Sequence, residues 1–166
     1  MVSIIPEIVD PDITYILFTT SVTYNPDQTT LTSGEIEQTV RDAIDTYDTN
    51  NINQFGSDYR HSQLICAIND SEDSIISNLS TIKLQKNLNP ALNTVAAYTL
   101  QFNDTLIPNT ISMGGFTVEE VPLQPTATYF IEDDGLGALN IIRRITDSTD
   151  VIVQSAGTVD YDTGLV

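Results

Sequence analysis

The chain has 166 residues, with 23 acidic and 6 basic side chains and a formal net charge of -17 at pH 7. Hydrophobic residues make up 40% of it, which is enough for a packed core. A surface this acidic repels phosphate backbones and anionic lipid heads, so we expect neither nucleic acid nor a membrane as a partner. No stretch approaches the roughly 20 apolar residues that span a bilayer, and the start lacks the basic segment of a signal peptide.

The first part of the chain predicts one strand followed by two helices. Residues 13–25 are rich in β-branched and aromatic side chains and predict a long strand. Thr32 and Glu35 have the spacing of a capping box, so the first helix is expected to begin there. A second helix is predicted from near Ser57 to near Asn69. One apolar stripe at helical spacing marks the buried face of the first helix: Ile36, Val40, Ile44 and Tyr47.

Strands dominate the rest of the sequence. Residues 74–88 and 94–104 predict two strands joined by an Asn-Pro turn as a β-hairpin. A second hairpin is predicted around "DDGLG", and we expect a positive φ at Gly135 or Gly137, because glycine reaches that conformation at little cost. Two more short strands are expected within residues 150–166.

These elements together predict an α+β fold, in which a strand, two helices and a β-hairpin are followed by a β-rich lobe. We place the first lobe at residues 1–106 and the β-rich lobe at residues 107–166, with a weak seam near residues 107–115. The sequence stops on apolar residues within a predicted strand. We therefore expect a fragment of a longer chain, with Met1 foreign to the native sequence and the β-rich lobe truncated at its C-terminal end.

The chain contains one histidine, His61, and one cysteine, Cys66, both on the second predicted helix. Five residues apart, their side chains point about 140° apart, so they cannot meet as a catalytic pair. We expect His61 to lie on an apolar stripe with Leu64 and Ile68 at the edge of the core. Cys66 is expected to pack as a small residue on the other side of the helix. One cysteine also excludes an internal disulfide framework.

Two acidic stretches, residues 69–73 and 132–134, are candidates for a metal site. Neither has the alternate ligand spacing and central glycine of a calcium loop, so both are interpreted as turns or caps. Motifs for nucleotide binding, serine hydrolysis and zinc proteolysis are absent. No catalytic, cofactor-binding or metal-binding residue is predicted, and we expect no enzyme activity. Two alternatives stay open: an acidic extracellular or surface binding module with calcium as a candidate ligand, and a carboxylate-based hydrolase.

Four motifs occur in a fixed order after the extended segment and the capped helix. They are "FGSDYRHSQL", "INDSEDSIISN", "DDGLG" and "GTVDYDTG". This ordered set resembles the baseplate wedge proteins of T4-like contractile-tailed bacteriophages, which are related to the wider baseplate J-like group. The resemblance covers most of the chain and places it toward the C-terminal half of a much longer protein. In that family the position of His61 is usually aromatic, which agrees with a packing role.

The resemblance implies a structural role without catalysis or a cofactor. Wedge subunits of this kind associate with themselves and with other baseplate wedge proteins to build the ring around the tail hub. We therefore expect a homodimer and contacts with other wedge proteins. The expected contact surfaces are the strand near "GTVDYDTGLV" and the seam near residues 107–115. The expected location is the tail baseplate of the virion, after assembly in the host cytoplasm.

Overall fold

A computed structural model describes residues 12–54, 56–91, 94, 96–117, 127–144 and 150–166. Its helices and strands, in chain order, are β1 (Tyr15–Tyr24), α1 (Ser33–Tyr47), α2 (His61–Asn69), β2 (Ile75–Gln85), β3 (Ser112–Phe116), β4 (Tyr129–Asp133), β5 (Ala138–Arg143) and β6 (Val151–Thr158). Two helices and two antiparallel sheets confirm the predicted α+β class. The chain forms two compact units. The first is Tyr15–Gln85, and the second contains residues 12–14 and 86–166.

Helix α1 begins where the capping box predicts. The Glu35 amide donates to Thr32 Oγ1 over 3.4 Å, and the Thr32 amide donates to Glu35 Oε2 over 2.7 Å. These two bonds satisfy donors that the first helical turn would otherwise leave free. The bonds to the Thr32 backbone and side chain lower the pKa of Glu35. A π-helical turn, Asp48–Ile52, continues from the end of α1.

The first unit packs both helices against one face of a two-stranded ribbon. β1 and β2 pair antiparallel from Tyr15↔Gln85 to Tyr24↔Ile75. The predicted helical stripe is confirmed, because three of its members are buried and Ile44 packs against them. The Tyr47 hydroxyl also donates to the Arg60 carbonyl at the start of α2 over 3.0 Å. Five residues form the buried cluster: Ile36, Val40, Tyr47, Leu64 and Ile68.

The predicted hairpin between residues 74–88 and 94–104 is wrong. β2 pairs with β1 instead, because both strands alternate in burial and together present one apolar face to the helices. Within the described part of 94–104, the backbone makes one isolated bridge, Gln101↔Leu165. Leu100 and Val166 exchange backbone hydrogen bonds of 2.8 and 2.9 Å. The second helix begins at His61, four residues later than the predicted start near Ser57.

The second unit is built on a four-stranded antiparallel sheet in the order β3-β4-β5-β6. The "DDGLG" hairpin is confirmed, since β4 and β5 pair from Tyr129↔Arg143 to Asp133↔Leu139. Gly135 and Gly137 have φ values of 72° and 107°, so the predicted positive φ is found at both. The core is small and comprises Tyr129, Leu139, Ile142 and Val159.

The last residues form one strand and a turn rather than two strands. β6 pairs with β5, and a turn then brings Asp160 opposite Leu165. Gly164 has a φ of 70°, and a side chain there would collide with the Asp104 carbonyl.

The two compact units differ from the predicted lobes in the placement of residues 86–106. Their described part lies in the second unit, because it makes backbone hydrogen bonds with the end of the chain. Phe102 donates to Gly164 over 2.9 Å, and Leu106 donates to Tyr161 over 2.8 Å. Lys86, the first residue after β2, has a side chain only 3% exposed and pairs with Asp12 over 2.5 Å.

Candidate protein-contact surfaces

His61 lies at the start of α2 and is exposed. Its Nδ1 is 2.8 Å from the Tyr59 hydroxyl, and its ring centroid is 6.5 Å from that of Phe18. Burial raises the pKa of Tyr59, and Tyr47 adds to the effect, so the phenol keeps its proton and can donate to Nδ1. His61 therefore contacts two aromatic rings at the surface and does not lie at the core edge as predicted. Leu64 and Ile68, which were predicted to share its face, are buried.

Cys66 is a free thiol and is exposed. The expectation that it packs as a small residue is therefore wrong. Its helix buries Leu64 and Ile68, which lie on the side that faces the ribbon and α1. Position 66 falls between these buried residues in sequence, about 200° from Leu64 around the helix, and so points to solvent.

Two residues of the acidic stretches, Asp70 and Asp134, take part in cap or turn hydrogen bonds. Asp70 caps the end of α2, where its amide donates to the Cys66 carbonyl over 2.9 Å. Asp134 Oδ1 accepts from the Leu136 and Ala138 amides over 2.8 and 2.9 Å, which lowers the pKa of Asp134. Within the described ranges, no group of three or more His, Cys, Asp or Glu side chains is arranged to hold a metal ion.

Asp133 joins three segments of the second unit. Its Oδ2 accepts from the Asn109 amide over 2.6 Å and from the Tyr161 hydroxyl over 2.7 Å, and its Oδ1 accepts from the Ile111 amide over 2.9 Å. Partial burial and the Asp133 carboxylate raise the pKa of Tyr161, so its phenol remains a donor. This carboxylate is therefore a structural acceptor whose two oxygens are already occupied.

A shallow groove runs beside α1 and α2, and its hydroxyl groups are already used. The Thr39 hydroxyl donates to the Glu35 carbonyl over 3.0 Å, and the Thr46 hydroxyl donates to the Asp42 carbonyl over 2.7 Å. Such bonds to the preceding helical turn leave these side chains little capacity to bind a ligand. The groove is therefore a poor candidate for a small-molecule site.

The outer face of the β1–β2 ribbon is a better candidate. Alternate residues of both strands point away from the helices and are exposed. Tyr15, Leu17 and Leu79 on this face are 45%, 49% and 76% exposed. Neither strand contains an acidic residue, although the chain carries 23 of them. Hydroxyl side chains and Lys83 occupy most of the rest of this face. A face that exposes leucines and carries no acids, in so acidic a chain, is a candidate for a surface that another protein covers.

A second candidate is β6, one of the two edge strands of the four-stranded sheet among the residues that the structure describes. Its first six residues are all exposed, and Ile152 is 65% exposed. Residues 151–159 read "VIVQSAGTV" and contain no charged side chain. An edge strand exposes backbone donors and acceptors that can pair with another strand.

Sequence reasoning placed the contact surface near "GTVDYDTGLV" and near residues 107–115. The first location is close to the open edge, since β6 ends at Thr158. At the second location Ile107 is 72% exposed and Met113 is 43% exposed. The ribbon face was missed. Its signal was present in residues 13–25, where apolar side chains occur on both faces of a predicted strand.

Residues 12–87 match the sequence family described as "Baseplate structural protein gp6, C-terminal domain III". The match includes the whole of the first unit and slightly less than half of the chain. This part of the chain is therefore similar to a structural domain of a baseplate protein. No curated protein sequence matches the chain. No helix in the part of the chain that the structure describes is long and apolar enough to cross a membrane.

Proposed function

We propose that this chain is a structural piece of a phage baseplate wedge, which assembles with other wedge proteins and with itself into the ring around the tail hub. The match of residues 12–87 to a baseplate structural domain carries the proposal. We place the chain toward the C-terminal half of a longer wedge protein that is related to the baseplate J-like group. It acts in the virion after assembly in the host cytoplasm.

The contacts in this proposal come from the two exposed apolar surfaces. The helices cover one face of the β1–β2 ribbon and leave Leu17 and Leu79 on the other, so burial by a neighbouring subunit would remove apolar area from water. A wedge neighbour can also pair with an open strand edge. Neither surface calls for nucleic acid or lipid, because the net charge of -17 disfavours both.

The absence of catalysis is part of the same proposal. Two of the carboxylates considered for a calcium site are engaged at the hairpin turn. Asp133 and Asp134 accept hydrogen bonds from backbone amides. A general acid or base needs a free carboxylate facing a cavity, and these oxygens are directed at the chain itself. We therefore assign no cofactor and no substrate.

Interruption of the coding sequence in the phage tests this role. We expect lysates that contain heads but lack complete baseplates by electron microscopy, and normal tails after complementation with the intact sequence. A Leu17→Asp, Leu79→Asp double variant should complement poorly, whereas Leu136→Asp, at a hairpin position outside the ribbon that is 92% exposed, should complement better. Normal virions from the interrupted phage would contradict the proposal.

A further inference from the structure

The open edge of β6 has an internal sequence pattern that goes beyond simple exposure. Its first half carries large β-branched side chains, Val151, Ile152 and Val153, and its second half carries small ones, Ser155, Ala156 and Gly157. Gln154 lies between the two halves. When a strand with this pattern runs antiparallel to its own copy, large residues of each strand lie opposite small residues of the other. Parallel pairing in register would place large residues opposite large ones instead.

We infer that two copies of this chain pair through β6, antiparallel about Gln154, so that Gln154 lies opposite its own copy and two four-stranded sheets join into one of eight strands. This inference rests on the proposed self-association and names the surface that makes it. An antiparallel pair of identical strands is related by a twofold axis, which is the commonest symmetry of protein dimers. The backbone groups on the open side of β6 gain partners in this pairing.

The absence of charged side chains from β6 also favours a second copy of the chain as its partner. Two molecules with a net charge of -17 repel each other, and acids placed directly opposite each other in a strand pair would destabilise it. Residues 151–159 contain no charged side chain, so the paired region brings none together. The strand also lacks the proline and lysine residues that protect edge strands from pairing. The remaining long-range repulsion is screened by salt, and the dimer should therefore strengthen as salt concentration rises.

β6 is paired on one side and exposed on the other, as the proposed dimer requires. β6 pairs with β5 on one side, with register shifts between Leu139 and Asn140 and between Ile141 and Ile142. The extra residues, Val153 and Ala156, lie in β6, and such bulges twist an edge strand, so the pairing with a second copy is limited to a short stretch about Gln154. Val151, Ile152 and Val153 remain 40%, 65% and 36% exposed. A neighbouring strand would cover part of this area.

Disulfide trapping tests the pairing in the whole chain. In a Cys66→Ser background, Gln154→Cys places thiols close to each other across the twofold axis, within reach of a bond. We expect a disulfide-linked dimer on mild oxidation. Leu136→Cys, at a hairpin position that is 92% exposed, is the matched control and should give little dimer. Equal cross-linking of both variants would show random collision and would overturn the inference.

Sedimentation across a concentration series gives the second readout. Ile152→Lys places a charge on the edge of each copy and should raise the dimer Kd by about tenfold or more, with circular dichroism confirming an unchanged fold. Dimerisation that persists in Ile152→Lys, without trapping at Gln154→Cys, would overturn the β6 pairing and leave the proposed self-association standing. A wild-type monomer without trapping at any salt concentration would overturn both, while the baseplate role would still depend on the interrupted phage.

Discussion

The two units of the chain are stabilised by different means. In Tyr15–Gln85, five buried residues form one apolar cluster, and nine partly buried hydrophobic residues pack around it. Four hydrophobic residues are buried in the described part of the second unit, and polar side chains also join its segments. Asp133 holds the 107–111 segment and the final turn, and Arg144 contacts Glu132 over 2.6 Å and Asp150 over 3.3 Å. One chain thus combines an apolar core in its first unit with charge-assisted hydrogen bonds in its second. We expect the two units to unfold under different conditions.

The largest effect is expected in the apolar core of the first unit. Ile68 is 0% exposed, and Ile68→Ala should lower the free energy of unfolding by about 2–5 kcal/mol, since it removes buried methyl groups and leaves a cavity. Leu79→Ala, at a position 76% exposed, is the control and should change stability by less than about 0.5 kcal/mol. Urea unfolding followed by the helical circular dichroism signal measures both. Equal effects would show that the cluster does not hold this unit together.

A smaller effect is expected at the polar centre of the second unit. Asp133→Asn keeps the shape but places an amide where three donors need an acceptor, so we expect a loss of about 1–3 kcal/mol. Asp162→Asn, an exposed change in the final turn, should be nearly neutral. Thermal unfolding followed by tyrosine emission measures the difference, because Tyr161 donates to Asp133 and the chain has no tryptophan. An Asp133→Asn variant with unchanged stability would show that these polar contacts do not stabilise the second unit.

Acid should sharpen the contrast between the units. Backbone hydrogen bonds lower the pKa of Asp134, and hydrogen bonds with Thr163 lower that of Asp160, both below the ordinary value of 3.8. Each folded pKa lies below its unfolded value, so the contribution is complete above the unfolded pKa and is lost as the pH falls through the folded one. The second unit carries two such turns, and in the first unit the capping carboxylate Glu35 shows the same direction.

Urea midpoints at pH 7, at pH 5 and at decreasing pH below 4 provide the measurement. We expect the second unit to lose more stability than the first, and Asp134→Asn to flatten its dependence on pH. The opposite order of loss would contradict the assignment of polar stabilisation to the second unit.

The smallest effects concern two arginines that serve as a matched pair. Arg41 bonds to Glu37 one helical turn earlier, with both side chains well exposed. Arg144 contacts two acids and lies over the Phe130 ring at 4.6 Å. A single exposed ion pair contributes little to stability, whereas an arginine that contacts two acids and an aromatic ring contributes more. Arg144→Ala should therefore lower the melting temperature measurably and Arg41→Ala hardly at all, and equal shifts would contradict this ranking.

The sequence predicted the local elements of the first unit well. The capping box of Thr32 and Glu35 and the stripe that includes Ile36 are fixed by neighbouring residues, so periodicity and spacing suffice. The turn at Gly135 and Gly137 was predictable for the same reason. These are short-range properties of the chain.

Long-range pairing was not predictable in the same way. The β1–β2 register depends on contacts between residues about 60 positions apart, such as the hydrogen bond from the Ser80 hydroxyl to the Thr20 hydroxyl. By composition alone, residues 94–104 are an equally good partner for β2. The role of Asp133 likewise depends on Tyr161, 28 residues away. The exposure of His61 and Cys66 was not predicted. Helical spacing gives the angle between side chains around the helix, but it does not show which face of the helix other elements cover.

Gold labelling of purified virions with antibodies against this chain tests the structural role most directly. The account predicts label at the tail baseplate in electron micrographs and none on the incomplete particles from the interrupted phage. Label on the head, or virions with complete baseplates that contain no trace of the chain by mass spectrometry, would contradict it.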